Sequence, residues 1–251
     1  MPIDWFILAP AAFFAGMVDA VVGGGGLIQI PVLLSAFPQT GIPTLFGTNK
    51  VSSIAGTGAS LWRYARAVRI PWRLVLPATA AALLGAWLGA AVVAWIPREA
   101  MRPLVVAMML AVAIYTFLRK NLGHVETHAP RPGDRWRGAL FGLVIGFYDG
   151  FFGPGTGSFL IFGFVRVFGL DFIRASASAK VVNLATNVSA IGFFASHGPI
   201  LWAVGLNMAA CNLAGAWVGT HLALKHGAGF IRQAFLGVVT VLIVKQLIEI
   251  F

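Results

Sequence analysis

The sequence predicts an all-α integral membrane protein made of two inverted repeats, each a broken, re-entrant helical element followed by three transmembrane helices. Three observations predict it. First, 59% of the 251 residues are hydrophobic and only 10% are charged, far more apolar side chain than one soluble core can hide. Second, the apolar runs last about 17 to 25 residues, the length a helix needs to cross roughly 30 Å of hydrocarbon. Third, residues 16–31, GMVDAVVGGGGLIQIP, return 130 positions later as GFYDGFFGPGTGSFLI. That offset also pairs Lys50 with Lys180, Trp72 with Trp202, GAWLG at 85–89 with GAWVG at 215–219, and Arg102 with Arg232. A match held without a gap over such a length is an internal repeat.

Taken in order, residues 5–37 are too long for one ordinary span and are interrupted by Gly23 to Gly26 and by Pro31, so a discontinuous element is expected there. Spans follow near 45–64, 74–96 and 101–118, divided by RYARAVRIPWR and IPREAMR. The first repeat is thus residues 1–118. Residues 119–137, rich in Pro, Gly, His and charge, form a polar linker. Residues 138–251 repeat the pattern, with a broken block at 138–168 and spans near 175–196, 202–223 and 231–250. MPIDWFILAP at the start lacks the basic flank of a cleaved signal and is expected to belong to the mature fold.

Loop charge gives the orientation. If each broken block enters and leaves on one side, three crossings per half invert the second repeat and leave both termini outside. Thirteen Lys and Arg residues then fall in inner loops and only Arg98 and Arg102 in outer ones. If each block crosses once, the split falls to 9 against 6. Cytoplasmic loops carry the basic excess, so inversion is expected, with both termini periplasmic. The formal charge of +10 is read as membrane orientation, not as a sign of nucleic-acid binding.

Several residues within the spans could carry chemistry. Asp19 and Asp149 each sit inside an apolar run, four residues before a glycine cluster. A helix restarting after such a break offers free N–H groups and a partial positive charge to an anion, which singles out Gly25 and Gly26 in one copy and Gly155, Thr156, Gly157 and Ser158 in the other. The bland reading of these glycines is tight helix crossing, and for GAWLG and GAWVG that reading is preferred. Lys50 and Lys180 stand about five residues inside spans, where an ammonium costs at least roughly 2.5 kcal/mol unless paired or near water. With Asn49 and Ser53 beside Lys50, and Asn183 and Asn187 along the span of Lys180, each span presents a polar face suited to a substrate path. The alternatives are lysines snorkelling to the interface and asparagines bonding between helices. Asp19 and Asp149 could neutralise the lysines, carry protons, or cap the helix after the break.

Other function classes find little support. The five histidines lack metal-site spacing, so no metal is expected. Cys211 is alone and reads as a packing residue. No nucleophile triad and no GxxxxGKS loop is present, which argues against an enzyme and against ATP-driven transport, and no cofactor is expected.

The stretches GMVDAVVGGGGLIQIPVLL, GTNKVSSIAG, GFYDGFFGPGTGSFLI and SASAKVVNLATN together resemble the sulfite exporter TauE/SafE family of membrane transporters, over nearly the whole chain. The resemblance implies a multi-pass protein of the bacterial inner membrane that moves a small sulfur-containing anion such as sulfite, thiosulfate or an organosulfonate. It places family functional positions around Gly25 and Gly155 and at Asn49, Lys50, Lys180 and Asn183. The copies differ in places: Asn49 is matched by Ala179 and Gly24 by Pro154. The expected function is a secondary transporter working by alternating access, driven by the proton gradient or by the substrate's own, with Asp19 or Asp149 as proton carriers. The alternatives are a passive anion channel and the membrane subunit of an enzyme complex. Small anion and lipid bilayer are the expected partners.

Overall fold

A computed structural model describes residues 5–96, 100, 103–105, 107–108, 110–111, 114, 131 and 133–226. The expected spans at 101–118 and 231–250 and most of the linker lie wholly or largely outside those residues. Eight long helices are described: α1 (Trp5–Val21), α2 (Gly26–Ala36), α3 (Ile42–Ala67), α4 (Trp72–Trp95), α5 (Asp134–Phe151), α6 (Thr156–Arg166), α7 (Phe172–His197) and α8 (Trp202–His226). The described residues hold no strand. The repeat in sequence is a repeat in helices: α2 and α6 start and end at the same 130-residue offset, as do α3 and α7.

Both blocks expected to be discontinuous are broken. Helix α1 stops at Val21 and α2 starts at Gly26; α5 stops at Phe151 and α6 starts at Thr156. In both copies the first glycine of the break takes a left-handed conformation, φ 79° at Gly23 and 90° at Gly153, which ends a helix at no Cβ cost. Pro31, expected to break the first block again, lies inside α2. Its ring removes one i→i−4 bond, but every residue from Leu27 to Leu34 is buried, and that packing carries the helix through. The linker is also shorter than its composition suggests. Asp134 to Arg137 form the first turn of α5, after Gly133 at φ 90°, with the Asp134 carboxylate accepting the Arg131 N–H at 2.7 Å.

Packing runs mainly between the two halves of the chain. Helix α1 lies along α8 and α5 along α4, while α3 touches both α8 and α7. Along α4 and α5, Ala78 meets Gly142, Ala82 meets Gly146 and Ala86 meets Gly150, so these helices run in the same direction in close contact. A methyl at Gly142, Gly146 or Gly150 would overlap a carbonyl of α4. The α1–α8 pair repeats this, with Gly16 on Asn212 and Gly215 and Gly219 on the backbone of Phe13 and Met17. GAWLG and GAWVG therefore do mark close helix crossings, as expected of small residues spaced by four. By contrast α3 and α7 run in opposite senses, with Gly47 against Phe194 and Gly58 facing Leu184.

The outer surface is strongly apolar. Leu76, Leu84, Leu140, Val144 and Leu206 are all more than half exposed, and Trp95 and Trp136 are 86% and 82% exposed. A surface of this kind suits lipid. Helix α4 is 24 residues long with a best-window mean hydropathy of 1.8, enough to cross a bilayer. Helices α3 and α7, at 26 residues each, are long enough too, but they give up apolar character to the polar residues they bury.

Candidate functional site

The two breaks meet at the centre of the molecule. A Cβ on Gly23 would overlap the backbone of Gly157, and one on Gly157 would overlap Gly23, so only glycine allows this approach. Gly26 packs beside Pro154, and the Ser158 hydroxyl donates to the Val22 carbonyl in the opposite break. Two tyrosines, Tyr64 buried and Tyr148 half-buried, fix the ends from outside. Tyr64 donates to the Ala20 carbonyl at 3.0 Å and Tyr148 to the Pro154 carbonyl at 2.6 Å.

Both lysines lie here, and each is paired with the aspartate of the other copy. Lys180 Nζ is 2.7 Å from Asp19 Oδ2 and also donates to the Asp19 carbonyl at 2.6 Å. Lys50 Nζ is 2.7 Å from Asp149 Oδ2, outside the directional geometry of a hydrogen bond. Lys50 is 4% exposed and Lys180 fully buried, which overturns the snorkelling alternative. A charge so placed needs its counter-ion, because burying it alone costs several kcal/mol. The capping alternative for the aspartates also fails: α2 and α6 start from Gly25 and Gly155 with no side-chain cap, and both carboxylates turn to lysines instead.

Between the breaks lies a cavity of about 20 Å³, lined by Asp19, Asp149, Lys50, Asn49, Ser53, Asn183, Asn187 and the glycines 23, 26, 153 and 157. That is room for about one water. The N–H groups of Gly26 and Gly157 have no backbone acceptor among the described residues, and both glycines reach the cavity. Asn49 Oδ1 and Asn187 Nδ2 are buried without a hydrogen-bond partner among the described residues. Buried polar atoms left unpaired are costly, so the cavity has unmet hydrogen-bonding capacity of both signs.

Of the residues expected at a site, the structure brings Gly26, Asn49, Lys50, Ser53, Gly157, Asn183, Asn187, Asp19 and Asp149 to the cavity. Gly25, Gly155, Thr156, Ser158 and Lys180 are not in its wall. Gly25 packs on Ala15 and Asp19 and Gly155 turns the chain at φ 84°. Thr156 donates to the Gly153 carbonyl at 2.7 Å, and Ser158 is spent on Val22, so these hydroxyls hold the breaks. Gly23 and Gly153 line the cavity although sequence reasoning did not single them out as site residues. The signal that could have found them is their place, first after each interrupted helix.

A family model described as "Sulfite exporter TauE/SafE" matches residues 8–246. Among curated proteins, a probable membrane transporter protein, ORF9, from Sinorhizobium sp is 38% identical, covering 95% of this chain and 90% of its own. A probable membrane transporter protein from Haemophilus influenzae is 34% identical, covering 90% and 88%. The probable membrane transporter protein YfcA of Escherichia coli K12 is 29% identical, covering 97% and 89%. No solved structure matches the chain.

Proposed function

The chain belongs to the sulfite exporter TauE/SafE family, which indicates an integral membrane transporter, and we propose that it is a secondary transporter of a small sulfur-containing anion across the bacterial inner membrane. The observation that carries this reading is the position of Lys50: a buried ammonium on the wall of a cavity formed where two helix breaks touch. Free N–H groups at a helix start, an ammonium and unpaired asparagine groups are what a compact oxyanion would use.

At about 20 Å³ the cavity is too small for such an anion, so the anion enters only when the surrounding helices separate. The opposite running of α3 and α7 supports an inverted repeat with re-entrant tips near the bilayer midplane, and the basic loops support both termini periplasmic. Alternating access would then rock two mixed bodies, α1, α3 and α8 against α4, α5 and α7, about the Lys180–Asp19 contact, because each half of the sequence lends one helix to the other. Asp149 must yield Lys50 before an anion can use it. A proton taken by Asp149 would release the lysine, so anion and proton would cross together.

The test is a binding screen of the purified full-length protein, by thermal shift, against sulfite, thiosulfate, sulfate, taurine, sulfoacetate and acetate, followed by counterflow in proteoliposomes. Stabilisation by a sulfur oxyanion but not by acetate, with saturable counterflow, is the expected result. Unitary currents would replace the carrier with a channel, and stabilisation by none of the anions would overturn the reading.

A further inference from the structure

We propose that the protein carries a second anion site, separate from the central cavity, that holds the phosphodiester headgroup of an anionic phospholipid. It is a cavity of about 560 Å³ where the α3–α4 turn, the start of α5 and the α6–α7 turn converge, and its wall includes Arg69, Arg73, Arg131, Arg135 and Arg174. That volume lies within the usual range for small-ligand pockets.

Charge sets the ligand class. Two acids, Asp134 and Asp171, share the wall. Asp171 is committed to capping α7, accepting from Ile173 and Arg174 N–H, and its other oxygen lies 3.3 Å from Arg174 Nε. Among the described residues Arg69, Arg73, Arg131 and Arg135 have no carboxylate within salt-bridge distance, so the cavity has uncompensated guanidinium groups, the side chains best shaped for phosphate oxygens. Asp134 adds detail. It is more than nine-tenths buried, and its Oδ1 accepts no hydrogen bond; Arg137 stands 3.7 Å away. A headgroup with a hydroxyl beyond its phosphate, as in phosphatidylglycerol, would answer that oxygen.

The acyl chains have a path as well. Trp136 lines the cavity and is 82% exposed, and Leu140 and Val144, at 64% and 56%, continue the same face of α5 at four-residue steps. A tryptophan at the rim with an apolar stripe below it is how an interfacial lipid site is built. The internal repeat supplies a control. Positions 130 residues from Arg69, Arg73 and Arg174 hold Pro199, Ala203 and Thr44, so the fold itself does not demand these arginines. Loop charge for orientation alone requires neither a cavity of this size nor a buried carboxylate oxygen without a hydrogen bond.

The experiment uses full-length protein, purified and delipidated in neutral detergent, with thermal unfolding and native mass spectrometry as readouts. Phosphatidylglycerol is compared with phosphatidylcholine and with glycerol 1-phosphate, the headgroup without chains. Phosphatidylglycerol should raise the melting temperature and stay bound in the gas phase, and the other two should do neither. Arg73→Gln with Arg135→Gln, both at exposed positions, should leave the lipid-free melting temperature in place and weaken phosphatidylglycerol by about tenfold or more; Arg69→Gln alone gives a smaller loss if the double variant does not fold. Equal stabilisation by phosphatidylcholine, or an unchanged lipid affinity in the variants, would overturn the site. Stabilisation by glycerol 1-phosphate equal to that by the lipid would overturn the lipid and leave a soluble phosphate ester.

Discussion

The two copies of one motif have built two different ion pairs. Lys180 is fully buried, holds both the carboxylate and the carbonyl of Asp19, and stays out of the cavity wall. Lys50 has the same place in the repeat, yet it faces the cavity and meets Asp149 without hydrogen-bond alignment. An ammonium with two aligned acceptors is satisfied and fixed. One with a single, misaligned partner can exchange it for an anion. For the proposed function this means a division of labour: the Lys180 pair holds α1 to α7, and the Lys50 pair is the one free to serve an anion.

The largest effect expected is at the lock. Lys180→Ala leaves the partly buried Asp19 carboxylate without its counter-ion, a change that costs up to about 3–5 kcal/mol where a pair is fully buried. The purified protein should aggregate or elute as unfolded material on fluorescence-detected size exclusion, while Lys180→Met combined with Asp19→Leu, which removes both charges, should elute normally. A well-behaved Lys180→Ala would show that the pair locks nothing.

The glycines test the same division. At Gly23 an alanine would need a left-handed backbone and would collide with the backbone of Gly157, which cannot move without separating the breaks. At Gly153 the added methyl would meet the flexible end of Lys50, 3.1 Å away. Both substitutions carry the cost of positive φ, about 1 kcal/mol or more. Gly23→Ala should therefore lower the melting temperature clearly more than Gly153→Ala, and Gly153→Ala should change anion affinity in whatever protein remains folded. Equal melting temperatures would contradict the contact between the breaks.

The sharpest functional contrast removes charge while keeping shape. Lys50→Gln with Asp149→Asn takes the ammonium from the cavity, and Lys180→Gln with Asp19→Asn takes it from behind the wall. Anion affinity, read by the ligand-induced thermal shift, should fall about tenfold or more in the first, a loss of about 1.4 kcal/mol, and less than about threefold in the second. The reverse order would assign the chemistry to Lys180.

Much of this fold was legible because the sequence states it twice. The 130-residue offset places α6 and α7 once α2 and α3 are found, and Gly23 and Gly153 mark the breaks through the one conformation that ends a helix without a side chain. The polar spans were legible for a similar reason, since a lysine in an apolar run has few explanations. Partnership was not legible. Lys180 bonds to a residue 161 positions away, and nothing in its neighbourhood tells it from Lys50, whose flanking residues are just as small and polar. The hydroxyls of Thr156 and Ser158 misled for a related reason: beside a glycine break they look like ligand groups, but carbonyls of the two breaks, Gly153 in the same one and Val22 in the opposite one, already accept their hydrogen bonds.

The smallest effect is expected where the copies differ away from the cavity wall. Asn212, in the α1–α8 contact, occupies the place that Ala82 takes in the α4–α5 contact. Its amide donates to the Ala12 carbonyl at 3.2 Å, a carbonyl already inside a helix, so losing the bond leaves no orphaned backbone acceptor. Hydrogen bonds between membrane helices average about 0.6 kcal/mol. Asn212→Ala should thus lower the melting temperature by only a degree or two and leave anion affinity unchanged. Alanine is the residue whose backbone already meets Gly146 in the other pair. A large loss of stability would mean that α1 and α8 depend on a polar bond where α4 and α5 depend on close packing, and the two contacts would then be equivalent in sequence register alone.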